Sequence, residues 1–239
     1  MLGILMDGGW MMVPLLLCSI LGLAVIIDRA RAFRAAGGGH EALRKSVRTK
    51  LDEGDVNAAI DLVSGQEGPV AATLLNGLNR FVRLMGKDRA AEDAANAAVR
   101  SMEEYAPKAL RPLETRLNLL VLVAAIAPLL GMTGTVTGMI TSFDVMASAA
   151  GLDPGAVAGG IGEALITTAA GLLVAMPCAV CYNLFTRKID DLSATIDTAL
   201  ADVMETLGGG KQDHLDIFRF ECGTGADHGH RFIPLRTPF

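Results

Sequence analysis

The sequence predicts an all-α membrane protein with three transmembrane helices that run on into long helical extensions outside the bilayer. Three observations carry this. Residues 8–27, 117–143 and 161–186 are apolar runs long enough to span, the first two without a charge and the third with a single carboxylate. The charged remainder repeats apolar residues at steps of three and four and shows no alternating strand pattern of useful length. The composition, 51% hydrophobic with a mean hydropathy of +0.40 over 239 residues, suits a membrane protein with a modest soluble part.

Residues 1–27 hold a short lead and the first span, with Trp10 at an interface position and Pro14 in the first turns, where a helix tolerates it. Asp28, Arg29, Arg31 and Arg34 close it. Residues 28–116 read as a helical domain outside the membrane. Ala36-Gly-Gly-Gly39 breaks the first helix, and amphipathic pieces follow at Glu41–Leu51 and at Val56–Val63, the latter N-capped by Asp55. A third begins at Pro69, with Val70, Leu74, Leu75, Leu78, Phe81, Val82 and Met85 along one side. A fourth, capped by Asp88, covers Ala90–Leu110, and Pro107 and Pro112 interrupt the approach to the second span, 117–143. Residues 144–160 form a connection turning at Asp153-Pro154-Gly155. The third span, 161–186, continues as an amphipathic helix over 187–207 (Ile189, Leu192, Ile196, Leu200, Val203, Met204, Leu207), stopped by Gly208-Gly-Gly210. The remainder of 208–239 reads as a loosely ordered tail.

Charge sets the orientation. Of the 21 Lys and Arg, 15 lie in 28–116 and 6 in 187–239, with none in 1–27 or 144–162. The positive-inside rule places the 28–116 domain and the tail in the cytoplasm, and the N-terminus and the 144–160 connection outside. Three spans supply the alternation this requires. The first run lacks a basic stretch before it and is long enough to span, so it is expected to persist as an anchor rather than a cleaved leader.

Several classes are excluded. The net charge of -5 argues against a nucleic-acid binder, and four cysteines are too few for a disulfide framework. Cys178-Ala-Val-Cys181 has a metal-site spacing but lies in an apolar helix, where small packing residues are the better account. His214, Cys222, His228 and His230 match no familiar metal pattern. There is no phosphate-binding loop, protease metal helix or nucleophile in a convincing setting. The expectation is no enzyme, no catalytic residue, no metal and no cofactor.

The chemistry concentrates in Ala127–Phe185. Steps of three and four put Gly131, Thr135, Gly138 and Ser142 on one face of the second span, and Ala164, Thr168, Gly171, Ala175 and Cys178 on one face of the third. Lipid asks for no such stripe. A close helix contact does, and so does a polar path. Glu163 favours the path, because a carboxylate at the membrane boundary is costly; the plainer account is an interfacial Glu stabilised by a helix dipole. By helical rise Glu163 lies about 7 Å outward of Thr168, and Thr135 about 12 Å from the outer end of its span, so the three share the outer half. Inward of them, 117–130 offers only Asn118 as a polar side chain, and 172–185 has no ionisable group except two cysteines and Tyr182, leaving an apolar section about 15 Å long.

Ala127-Pro-Leu-Leu-Gly-Met-Thr-Gly-Thr-Val-Thr-Gly-Met-Ile resembles the second-span signature of the MotA/TolQ/ExbB proton-channel family. Gly162-Glu-Ala-Leu-Ile-Thr-Thr-Ala-Ala-Gly-Leu-Leu-Val-Ala-Met-Pro, followed by Tyr182-Asn-Leu-Phe185, resembles its third-span signature, and Gly9-Trp-Met-Met-Val-Pro-Leu-Leu-Leu-Cys-Ser fits the first. The resemblance covers roughly 1–207, and three spans rather than four favour its ExbB/TolQ branch. It implies a ring-forming homo-oligomer, a homopentamer, in a bacterial inner membrane, around an ExbD- or TolR-like single-span partner whose aspartate takes the proton. It further implies a TonB- or TolA-like protein that carries the motion to the outer membrane. Thr135, Glu163 and Thr168 match the family's proton-pathway positions. Thr167, Gly131, Gly138, Gly171 and Pro177 stand as secondary pathway or packing positions. Bilayer lipid is the remaining contact. The rival reading is a non-conducting scaffold whose stripes only pack helices, which has no use for Glu163. A secondary transporter would want inverted repeats and more spans.

Overall fold

In lipid, backbone amides have no water to bond, so an apolar run must satisfy them within itself. All three runs do so as helices. The computed structural model describes residues 9–87, 90–148 and 154–208, and these hold seven α helices: α1 Met12–Ala35, α2 His40–Asp52, α3 Val56–Ser64, α4 Pro69–Met85, α5 Ala91–Glu114, α6 Leu117–Ser148 and α7 Pro154–Gly208. Of these, α1, α6 and α7 contain stretches long and apolar enough to cross a membrane. The Asp88 cap, the Asp153 turn position and the tail after Gly208 lie outside the described residues.

The chain divides into two compact units, and α1 and α7 each contribute to both. The first unit takes the residues up to Ala30 and those from Thr115 to Thr186. Met12 and Leu15 of α1 are buried with Ala127 of α6 and Ala175 of α7, and Leu130, Ala170 and Val174 pack around them. Further along α1, Gly22 lets the Cys178 sulfur of α7 approach: a Cβ there would stand 2.6 Å from Sγ. The sulfur therefore fills a gap between helices, the packing role expected of it. Large apolar side chains elsewhere point outward, including Leu17, Ile20, Leu129, Met132, Val136, Leu173 and Met176. A water-facing helix would reverse that pattern. Where the apolar run of α1 ends, Asp28 accepts a hydrogen bond from the neighbouring Arg29 (2.7 Å) and one from Arg116 before α6 (3.0 Å).

The second unit combines α2–α5 with the ends of α1 and α7. The polyglycine break works through the left-handed backbones of Gly37 (φ 84°) and Gly39 (φ 100°), which side chains disfavour. The Asp55 side chain accepts the Ala58 N–H at 2.8 Å and starts α3. Phe81, Leu74 and Leu78 of α4 are almost fully buried, each contributing about 1.5–3 kcal/mol. Gly77 leaves the space that Met102 of α5 fills, and Ser101 donates to the Asn76 side chain at 2.7 Å. On α7, Ile189, Leu192, Ile196, Leu200, Val203 and Leu207 are buried in the predicted amphipathic order, while Met204 is half-buried.

Two boundaries differ from expectation. Pro107 and Pro112 do not interrupt α5, which continues through both to Glu114. The break comes at Arg116, whose backbone is left-handed (φ 72°). Each proline removes one backbone donor, and the buried face of α5, ending in Leu110 and Leu113, outweighs that loss. Helix also extends into both ends of the stretch read as a connection, because α6 runs to Ser148 and α7 starts at Pro154. Without a lipid-facing requirement the chain can continue a helix past its apolar run, and Pro154 suits a helix start.

One polar cluster ties α7 to α2. Asp202, 6% exposed, accepts from Arg44 and from Arg48 (2.6 Å), and Arg48 also reaches Glu205 at 3.1 Å. The charges of Glu205 and then Asp202 hold Arg48 more firmly protonated than usual. Asp202→Asn keeps the shape and removes the charge facing two guanidinium groups. It should destabilise the chain by about 1.5–3 kcal/mol, the size of a hydrogen bond to a charged group. Thermal unfolding in detergent checks this, with Glu205→Gln, at an exposed site, nearly neutral.

Candidate functional site

The two small-residue stripes meet each other. A Cβ at Gly171 would lie 2.6 Å from the Ala127 carbonyl oxygen and 3.2 Å from the Gly131 Cα. One at Gly131 would lie 3.0 Å from the Thr168 Cα, and one at Gly138 would lie 3.0 Å from the Ala164 Cβ. Gly160 in turn packs against the Ser142 hydroxyl. Ascending residues on α6 thus meet descending residues on α7, and the pair forms an antiparallel seam with backbone against backbone. The sequence left open whether the stripe serves packing or a polar path. The glycines of the seam pack backbone against backbone within one chain.

Hydroxyls line the seam and its edge. Thr168, partly exposed, donates to the Gly131 carbonyl across the seam at 3.0 Å. In helix register that carbonyl also receives the backbone N–H of Thr135, so Thr168 is joined to the turn that carries Thr135. The Thr135 hydroxyl donates instead to Met132 of its own helix at 2.7 Å and stays partly exposed. Thr167 is 1% exposed, donates to the Glu163 carbonyl at 2.9 Å, and fills the space over Gly134, where a Cβ would stand 2.5 Å from its methyl. Pro177 sits within α7, which continues through it.

Glu163 goes elsewhere. Its side chain is exposed, and its Oε1 occupies the position that a Cβ at Gly9 would take. Gly9 is left-handed (φ 67°), and its carbonyl accepts the Met12 N–H at 3.1 Å to open α1. The carboxylate therefore rests beside the first turn of α1, the positive end of a helix dipole. Among the described residues no hydrogen bond joins the side chains of Thr135, Glu163 and Thr168. Thr168 and Thr135 are linked through one carbonyl, and Glu163 is placed by α1.

Sequence reasoning missed Gly134, Gly160 and Gly9. Gly134 was within reach, three residues after Gly131 and four before Gly138. Spacing along α7 carries no signal for Gly9, which meets Glu163 only through the fold. Thr133, Thr137 and Thr141 form a second hydroxyl row on α6, and each bonds a carbonyl of its own helix. That satisfies them without any partner.

Three apolar helices, a glycine seam crossed by a threonine hydroxyl, and one carboxylate near the end of a span define a multi-pass membrane protein with closely packed helices. Residues 66–198 match the model of the MotA/TolQ/ExbB proton channel family, more than half of the chain, and the chain belongs to that family. It is 30% identical over 193 residues to the biopolymer transport protein ExbB of Pseudomonas putida, a match covering 81% of this chain and 57% of that one. It is 28% identical over 196 residues to the biopolymer transport protein ExbB of Neisseria meningitidis, covering 80% and 87%. To the Tol-Pal system protein TolQ of Pseudomonas aeruginosa it is 29% identical over 182 residues, covering 76% and 79%.

The seam yields a paired test. Gly171→Ala drives a Cβ into backbone that cannot turn aside, and should cost about 1–3 kcal/mol. At Gly162 of the same helix a Cβ meets nothing within 4 Å, so Gly162→Ala should be neutral or slightly stabilising. Thermal unfolding of both variants in detergent gives the comparison, and equal shifts would remove the seam from the account.

Proposed function

We propose that this chain is the proton-channel, or stator, subunit of an ExbB/TolQ-type inner-membrane motor. The observation that carries the reading is the Thr168 hydroxyl bonded across the glycine seam to the Gly131 carbonyl, beside partly exposed Thr135. A hydroxyl has one proton to donate and two lone pairs to accept. At Thr135 and Thr168 the proton is committed to a carbonyl, so both threonines offer lone pairs outward. Such a surface accepts a hydrogen bond from a neutral carboxylic acid more readily than it stabilises a carboxylate. An aspartate on a partner helix, protonated after a proton enters by way of Glu163, can pass these lone pairs and cross the apolar section that this chain cannot bridge unaided.

In this reading five copies form a ring around an ExbD- or TolR-like helix, and the work passes to a TonB- or TolA-like protein. The N-terminus and the 144–160 connection face the periplasm, with residues 28–116 and the C-terminal part in the cytoplasm. The relatives named ExbB and TolQ support the partner classes, and the distribution of Lys and Arg supports the orientation.

Proton flux into liposomes is the test. The chain alone should pass few protons. With the single-span partner present, Glu163→Ala and Thr168→Val should each cut flux by at least about tenfold while the native mass of the oligomer stays unchanged. Thr168→Ser, which keeps the hydroxyl, should do less harm. Strong flux without any partner, or full flux in Thr168→Val, would overturn the mechanism.

Orientation is tested separately in a background without native cysteines. Asp153→Cys should react with an impermeant thiol reagent added outside, and Glu92→Cys should not. The opposite labelling would reverse the topology.

A further inference from the structure

A notch of about 220 Å³ opens in the second unit between the end of α1, the start of α2 and the part of α7 just past its apolar run. Its floor is apolar: Phe33, Ala36 and Leu192 are all buried. Its rim carries His40, Lys188 and Asp191. The Lys188 ammonium stands 6.0 Å from the centre of the Phe33 ring, a cation held over an aromatic face. Among the described residues neither Lys188 nor Asp191 is in an ion pair, although they lie three residues apart on one helix with opposite charges. A donor and an acceptor are thus both available above an apolar floor.

The position along the helices names the ligand. Lys188 lies about 3 Å beyond Thr186, where the third apolar run ends, and Phe33 about 9 Å beyond Ile27, where the first ends. A headgroup layer is about 5–8 Å deep on each side of the hydrocarbon. The notch therefore opens within the headgroup layer at Lys188 and reaches just past its outer edge at Phe33, and Arg34 and Arg187, both exposed, add positive charge beside it.

We infer that this notch binds the headgroup of a zwitterionic phospholipid with a primary amine, phosphatidylethanolamine, at the membrane face where α1 and α7 leave the bilayer. The phosphate takes the Lys188 ammonium and a His40 N–H. The primary ammonium donates to the Asp191 carboxylate. The two methylenes between phosphate and ammonium lie over Phe33 and Leu192. Phosphatidylcholine, whose ammonium has no N–H, cannot make the Asp191 hydrogen bond, and the anionic headgroup of phosphatidylglycerol meets that carboxylate as a like charge.

The experiment is native mass spectrometry of the full chain in detergent, titrated with each of the three lipids. Phosphatidylethanolamine should be retained about fivefold more than phosphatidylcholine. Lys188→Ala should lower its retention about fivefold, and Lys188→Arg should restore most of it. Asp191→Asn should erase the preference for phosphatidylethanolamine over phosphatidylglycerol. Both side chains are exposed, and unchanged thermal unfolding of each variant shows that the fold is intact. Equal retention of all three lipids overturns the assignment, as does retention unaffected by Lys188→Ala. Free phosphoethanolamine competing as well as the lipid would overturn the membrane as the source of the ligand.

Discussion

The contact between the Gly171 backbone and the Ala127 carbonyl sets the rest of the membrane unit. At that distance α7 has no room for a side chain at Gly171, and glycine or alanine stands at most of the close contacts along the seam. Once the backbones meet, the Gly131 carbonyl comes within reach of the Thr168 hydroxyl, and the methyl of Thr167 drops into the gap over Gly134. Polar chemistry in the spans follows from this packing. A bulkier seam would hold the hydroxyl away from any carbonyl on the facing helix. The scaffold reading and the channel reading thus share one structural fact, and they part over the outward lone pairs of Thr135 and Thr168 and the carboxylate of Glu163.

The second unit is built differently. Its helices are held by large buried side chains and by the Asp202 cluster, where a largely buried carboxylate is neutralised by two guanidinium groups. Large side chains separate helix axes, and small ones let them touch. Helix α7 uses both devices along its 55 residues, glycine and alanine toward α6, then isoleucine, leucine and valine in the second unit. Composition alone marks the change of surroundings along one continuous helix.

Much of this was legible from the residues. The three apolar runs, the Asp55 cap and the buried order Ile189, Leu192, Ile196 are local or periodic signals, and such signals survive folding. Pro107 and Pro112 look like interruptions in the sequence because propensity is local, whereas the burial that carries α5 through them is tertiary. The small-residue stripes were visible, but register was not: 3.6 residues per turn lets Gly134 or Thr135 occupy one position on a face, and only the opposing Thr167 decides in favour of Gly134. The meeting of Gly9 with Glu163 joins residues far apart in the chain, and no spacing rule reaches it. The notch between Phe33 and Lys188 is of the same kind.

The packing of Glu163 against Gly9 has a spectroscopic consequence. Trp10 is the chain's single tryptophan, adjacent to Gly9 and 73% exposed. Indole emission responds to a nearby carboxyl group and to whether that group carries charge. The intrinsic fluorescence of the unlabelled protein therefore reports on the start of α1, beside which the Glu163 carboxylate rests, free of the background that several tryptophans would add.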